Sequence, residues 1–431
     1  MKYDIGIIGG GPAGYSAAFE AARNGLHVVL FEKDKLGGTC LNRGCIPTKY
    51  LLHAASLFDA VKREPYIKTD NPLHFLDSES LQRGKEDAVE SLRQNLERNL
   101  LQNKIEIITG QASVKESGTI ICNDLEYQAD KILIATGVRQ KTPFAEGFIT
   151  SNELLELKNI PKTMKIVGGG TIAVEFAYIY ASLGTKVTIQ IRGDRLLRTW
   201  SKEISRTVET MLKQHGVSIE KKCVPEVLQK ADAEICLSAV GMIPEISGID
   251  RTLFDIGDDG GIVTDIYGET KTAGIYAAGD VRSGSEKLAH TAMADGRKAV
   301  HSALSKKSVE NAAVVRCIYL VPEIADVGID EETAEGEGLH AVSIKTPLYS
   351  NSMNVIAGGY RSFIRLTADS ERKILIGAQI VSEHASDMIT ELALAINNEV
   401  PVSQLTANIR PHPSFSEGVT DAVRDLEKAL E

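Results

Sequence analysis

Two cysteines stand five positions apart in Gly37-Gly38-Thr39-Cys40-Leu41-Asn42-Arg43-Gly44-Cys45-Ile46-Pro47-Thr48-Lys49. Glycines flank them and a helix pattern begins beside them. A thiolate there would sit near backbone N–H groups, which stabilise its charge and raise the thiolate fraction. Such a pair can close an accessible, strained disulfide and exchange it with other thiols. A zinc site would need two more ligands, and none is adjacent, so no metal is expected. On spacing alone, redox chemistry, a metal site and chance all stay open. Cys122, Cys223, Cys236 and Cys317 lie in apolar or isolated contexts and read as structural.

Two glycine turns could hold nucleotides. The first, Gly9-Gly10-Gly11-Pro12-Ala13-Gly14, follows the apolar run YDIGII and opens a helix that stops at Gly25. Gly9, Gly11 and Gly14 permit a tight turn whose N–H groups can approach a pyrophosphate at the helix N-terminus, where Pro12 and Ala13 begin. The next strand, HVVLFE, ends at Glu32, placed to accept ribose hydroxyls. The second turn is Gly168-Gly169-Gly170-Thr171-Ile172-Ala173. Its following strand ends at Ile191 rather than at an acid, then come Arg192 and, six further on, Arg198. A 2′-phosphate is bound best by guanidinium groups and repelled by a carboxylate, so NADPH is favoured here over NADH. The plainer reading makes both arginines part of a solvated face.

These residues imply the elements that carry them. Strand, glycine turn, helix and strand occur twice, so the chain contains two βαβ nucleotide-binding units and an α/β fold. Between them, residues 79–104 space Leu81, Leu92, Leu96 and Leu100/Leu101 as a helix packed on one side. Residues 311–431 lack a glycine-rich nucleotide turn and mix strands with helices as an α+β unit. The whole chain of 431 residues, with 43% hydrophobic and 25% charged residues, excludes disorder, a fibre and a disulfide-stapled miniprotein. A net charge of −10 argues against a general nucleic-acid or anionic-membrane binder. No apolar run approaches the roughly 18 residues of a membrane span. Met1–Gly14 has no secretory pattern, and six cysteines are sparse, so a cytoplasmic protein is expected.

With those motifs in place, the sequence resembles the FAD-dependent pyridine nucleotide–disulfide oxidoreductases, in order and over nearly the whole chain. GGTCLNRGCIPTK is its most specific signature; ILIATG (132–137), GIYAAGDV (274–281) and HPSFSE also match. The resemblance implies an FAD domain, 1–153 and 273–310, interrupted by an NAD(P)H domain, 154–272, and followed by a dimerisation domain, 311–431. It implies a redox disulfide between Cys40 and Cys45, with Cys45 nearer the flavin and Cys40 exchanging with substrate. His412 would be the catalytic base, oriented by Glu417 and entering from the partner subunit. Lys49 and Glu175 would form an ion pair beside the flavin ring. Asp280 would bind the flavin ribitol. Gly38, Thr39, Thr136, Gly137 and Gly279 would line the flavin site, and Gly241, in GMIP, the coenzyme site.

Within the family the signals divide. CLNRGCIPTK, Leu288-Ala289-His290 and the Phe of HPSFSE look like dihydrolipoamide dehydrogenases; Ala173, Ile191, Arg192 and Arg198 look like NADPH-dependent glutathione reductases. The resemblance therefore implies a dihydrolipoamide-dehydrogenase-like homodimer acting on lipoamide, a lipoyl domain or a glutathione-like disulfide. A glutathione-reductase-like enzyme is the alternative. From another class, a docking subunit of a lipoyl multienzyme complex would bind FAD with little turnover. An NAD(P)H oxidase or quinone reductase would need neither Cys40 nor His412.

Overall fold

A computed structural model describes residues 2–64, 67, 76–143, 145–305 and 312–431. They fall into two compact units. The first comprises Met1–Leu51, Asp77–Pro161 and Gln229–Glu310.

At its centre the strands Glu106–Thr109, Val28–Glu32, Lys2–Ile8 and Leu125–Ile134 lie side by side and parallel. Ile275–Ala277 adds a further parallel strand against Leu125–Ile134, and a hairpin of Ala112–Glu116 and Thr119–Cys122 joins on antiparallel. Burial on both faces explains the unbroken apolar runs: Ile7, Leu30 and Leu133 are at most 1% exposed. Ile8 pairs with both Phe31 and Ile134, so three strands end together where the first glycine turn begins.

The helix Pro12–Arg23 covers this sheet through Ala17, Ala18 and Ala21, all fully buried. Its small side chains also admit the helix Ala289–Ser305, where a Cβ at Gly296 would lie 2.1 Å from the Ala13 carbonyl oxygen. The helix expected over 79–104 spans Ser78–Gln102. Its buried stripe differs from the leucine spacing. Leu100 is buried, but Leu92 and Leu101 are 43% and 57% exposed, and Lys85 is only 5% exposed. The Lys85 ammonium donates to the Leu155 carbonyl and to Gln82 Oε1, so a tertiary acceptor makes its burial tolerable.

The second unit comprises Leu52–Leu76, Lys162–Leu228 and Asn311–Glu431. Thr163–Val167, Lys186–Gln190 and Ser218–Glu220 form parallel strands, with Val167 opposite Gln190 and Gln190 opposite Glu220. The helix Thr171–Ser182 is buried on nearly every side. The C-terminal part is an antiparallel sheet in the order Arg316–Ile318, Glu323–Gly328, Ile374–Ser382, Phe363–Asp369, Ala341–Pro347. The helices Ala385–Asn397 and Glu417–Ala429 bury Ile389, Leu392, Val419, Val423 and Leu426 in its core. Both βαβ units and the α+β part are thus present; the expected boundary at 310/311 falls outside the described residues. Among the described residues no helix is long and apolar enough to cross a membrane.

Candidate active site

The first glycine turn is shaped by what a side chain would strike. A Cβ at Gly9, where φ is +108°, would lie 2.4 Å from the Ala135 carbonyl oxygen; one at Gly14 would lie 1.8 Å from that of Gly9. Gly11 caps the helix without any side-chain hydrogen bond, and Pro12 fills a position needing no N–H. The helix-terminal N–H groups are left to an anionic ligand. Glu32 braces the turn: Oε2 accepts from the Gly10 N–H at 2.8 Å and Oε1 from that of Asp34 at 2.9 Å.

The cysteine segment is pressed against the same turn. Gly37 N–H donates to the Gly10 carbonyl at 2.8 Å. A Cβ at Gly38, where φ is +59°, would lie 2.7 Å from the Gly11 Cα. Cys40 lies in the short helix Gly38–Arg43, and Cys45 begins the helix Cys45–Arg63, which also carries Lys49. Thr39 is exposed. Both cysteines are half-buried thiols, and their side chains hydrogen-bond each other. That hydrogen bond pushes the Cys40 thiol far up; burial and the Cys45 charge add to it, while Lys49 opposes. When one of the two sulfurs ionises, the other keeps the proton.

Two residues near the pair were given no role by the sequence. Burial pushes the Tyr15 phenol up to about 12, with the charges of Cys40 and Cys45 as further causes. Tyr15 follows the glycine turn by one residue, so its helix phase was the available clue. Asn42 lies between the cysteines and donates its amide to the Leu36 and Gly38 carbonyls, both at 2.9 Å.

Across the turn, Gly279 has φ +73°, and a Cβ there would lie 2.9 Å from Ala13 Cβ. Beside it Asp280 Oδ1 is buried with no hydrogen-bond partner. Burial raises this carboxyl to about 6, against the attraction of Lys287 and with repulsion from Asp295. A buried acceptor without a donor fits a ligand hydroxyl. Thr136 instead spends its hydroxyl on the Glu245 carbonyl, 2.6 Å away. Gly137 accepts from the Glu245 N–H, and Gly241 accepts from that of Lys141, so both help join the short strands Val138–Gln140 and Met242–Pro244.

The second unit holds the remaining residues. Gly168 has φ +133°, and Gly170 caps Thr171–Ser182 with no side-chain bond, as Gly11 does. Ile172 follows in the first turn, half-buried; Ala173 is fully buried. Glu175, 5% exposed, accepts from the Tyr319 N–H at 3.0 Å. Ile191 is buried, whereas Arg192 and Arg198 are exposed. Near the C-terminus, His412 Nδ1 lies 2.8 Å from Glu417 Oε1, and Glu417 Oε2 accepts from the Ser414 N–H at 2.9 Å. The Ser414 N–H and then His412 hold the Glu417 carboxyl below its usual range. With Nδ1 engaged, Nε2 is left for proton transfer.

The pattern of the family described as "Pyridine nucleotide-disulphide oxidoreductase" matches residues 3–296, and that of its dimerisation domain matches 314–423. The chain belongs to this family. It is similar to a dihydrolipoyl dehydrogenase of Mycoplasma genitalium, at 33% identity over 98% of each chain, and to one of Bacillus subtilis, at 31% over 98% of this chain and 97% of that one. A mercuric reductase of Lysinibacillus sphaericus is 29% identical over 100% of this chain and 83% of its own. Among solved structures, the HOCl-induced flavoprotein disulfide reductase of Escherichia coli superposes with a TM-score of 0.87 at 27% identity, covering 99% of this chain and 100% of that one. The chain is accordingly a flavoprotein disulfide oxidoreductase, whose family uses FAD and a pyridine nucleotide and assembles as a dimer. The glycine cradle and the unpartnered Asp280 oxygen fit the flavin.

Proposed function

We propose that this enzyme passes electrons between NADPH and a small dithiol/disulfide in the manner of a dihydrolipoyl dehydrogenase, through a Cys40–Cys45 disulfide. The observation that carries the reading is the Cys40–Cys45 hydrogen bond, set directly behind the first glycine turn. Bound FAD would supply hydride acceptance from the nicotinamide and two-electron reduction of the disulfide. Gly9, Gly11, Gly14, Glu32, Gly38 and Asp280 would hold the flavin, and Lys49 and Glu175 would serve its ring.

The remaining chemistry belongs to side chains. His412 takes the proton of the Cys40 thiol as its sulfur attacks a substrate sulfur, forming a mixed disulfide and expelling one substrate thiolate. The Cys45 thiolate then attacks Cys40 sulfur, restoring the internal disulfide and expelling the second thiolate. His412, oriented by Glu417, returns the Cys40 proton to the first thiolate and relays one from solvent to the second, and runs the same transfers backwards in the reverse direction. Two electrons leave the dithiol enzyme and two thiols leave the site, so the step balances.

NADPH is supported by the absence of an acid at Ile191 and by the exposed Arg192 and Arg198. The same residues favour a second reading, a glutathione-reductase-like enzyme. We place the protein in the cytoplasm on its sparse cysteine usage, and take the domains as 1–153 with 273–310, 154–272 and 311–431. The decisive experiment is the anaerobic kcat/KM ratio of lipoamide to oxidised glutathione with NADPH as donor. A ratio well above one supports the dihydrolipoyl-dehydrogenase reading; one well below it supports the alternative.

A further inference from the structure

The loop joining Lys186–Gln190 to the helix Lys202–Gln214 contains three arginines in the run Arg192-Gly193-Asp194-Arg195-Leu196-Leu197-Arg198-Thr199-Trp200. Arg192 and Arg198 are exposed, but Arg195 turns inward on the loop itself. One of its terminal nitrogens donates to the Trp200 carbonyl at 2.9 Å, and the other to the Arg198 carbonyl at 2.8 Å. A guanidinium is a planar fork, so these two bonds fix two carbonyls relative to each other. We propose that Arg195 is a positioning residue for coenzyme choice, holding the 192–200 loop in the one shape that presents Arg192 and Arg198 together to a ribose 2′-phosphate. The inference rests on the NADPH reading above and adds the residue on which it depends.

The loop needs holding. Leu197 has φ +51°, a left-handed conformation that is unfavourable for any residue with a side chain. Its N–H donates to the Gly169 carbonyl at 2.7 Å, which ties the loop to the coenzyme glycine turn. The Arg198 stem crosses Gly193, whose Cβ would lie 3.5 Å from Arg198 Cδ. Arg198 thus lies beside the neighbour of Arg192 in the chain.

The far end of the loop is gripped as well. The Arg316 guanidinium lies over the Trp200 ring, 4.8 Å from its centroid, and donates to the Thr199 carbonyl at 3.0 Å. Asp326 holds Arg316 through two bonds of 2.8 and 2.6 Å. Ser205 Oγ donates to the Leu196 carbonyl at 2.8 Å. Beside the ties at Gly193, Leu196 and Leu197, Arg195 supplies the side-chain tie that bridges the segment carrying Arg198 to the anchored Trp200.

Trp200 is the chain's sole tryptophan, so its fluorescence reads the loop. The test titrates the FAD-loaded enzyme with 2′,5′-ADP and with 5′-AMP, which differ by the 2′-phosphate alone. Wild type is expected to bind 2′,5′-ADP about tenfold more tightly or better. Arg195→Ala is expected to weaken 2′,5′-ADP by about tenfold while moving 5′-AMP less than about twofold, and Arg195→Gln, which can keep one bond, to fall between. In steady state KM for NADPH should rise relative to KM for NADH. If wild type shows no preference for 2′,5′-ADP, the NADPH reading fails and the inference with it. If wild type shows the preference and both variants keep it, the inference alone fails. An equal loss of both nucleotides, or a variant with lower Tm and lost flavin absorbance while Arg195→Gln behaves as wild type, also overturns it.

Discussion

Cys40 and Cys45 show how one contact divides labour between two like side chains. Because the thiols hydrogen-bond each other, ionisation of one fixes the proton on the other. Replacing Cys45 by serine is expected to lower disulfide turnover by about three orders of magnitude or more, measured with lipoamide and with oxidised glutathione; retained turnover would remove the cysteines from the mechanism. Asp280 leads to a pH prediction. Its folded carboxyl sits at about 6, above the ordinary carboxylate range, so without a donor the charged form is disfavoured. A ligand hydroxyl donating to it would stabilise the carboxylate, so flavin binding releases a proton. FAD affinity of the apoprotein should therefore rise as pH rises toward about 6 and level off above it. Asp280→Asn should weaken FAD roughly tenfold to a hundredfold at neutral pH and flatten that dependence. A wild-type affinity that is flat from acid to neutral pH would refute this.

Elements turn on individual glycines, and for different reasons. A methyl group at Gly14 would strike backbone at 1.8 Å, and only movement of the whole Pro12–Arg23 helix could relieve it. At Gly25 φ is +77° with open space around it, so alanine there meets only backbone strain. Gly14→Ala is expected to yield colourless protein with a markedly lower Tm. Gly25→Ala should cost about 1 kcal/mol and stay yellow. Equal behaviour of the two would contradict the close packing of the turn. Both nucleotide helices, their glycine stops and the C-terminal strands were legible from local periodicity, because each is set by residues within a few positions. The Ser78–Gln102 stripe was legible only in part. Lys85 is buried because Leu155, 70 positions away, offers a carbonyl, and no local pattern announces such a partner. Arg195 was missed likewise: three arginines in a loop look alike until the backbone shows which one faces inward.

At the scale of the molecule, the order of the motifs along the chain gave the family, since a flavin turn, a cysteine pair, a coenzyme turn and a His-Pro segment rarely follow one another by accident. Which subunit supplies His412 is a property of the dimer. The Cys40–Cys45 pair belongs to the first unit and the His412–Glu417 pair to the second. If His412 serves the partner's cysteines, a heterodimer of Cys45→Ser and His412→Ala chains has one complete site, so co-expression of two inactive variants should restore activity to the mixed dimer. If it serves its own chain, every site in that dimer is broken and none returns.

The packing of Gly38 against Gly11 separates two kinds of mutational intolerance. A side chain at 38 collides with backbone whether or not a ligand is present, while one at 11 would lie an ordinary 3.7 Å from Gly38 Cα. In a library randomised at both positions, selection for folding alone should retain glycine at 38 yet accept alanine at 11. Selection for yellow colonies should demand glycine at both. Position 38 answers to the fold, and position 11 to the molecule the fold was shaped to hold.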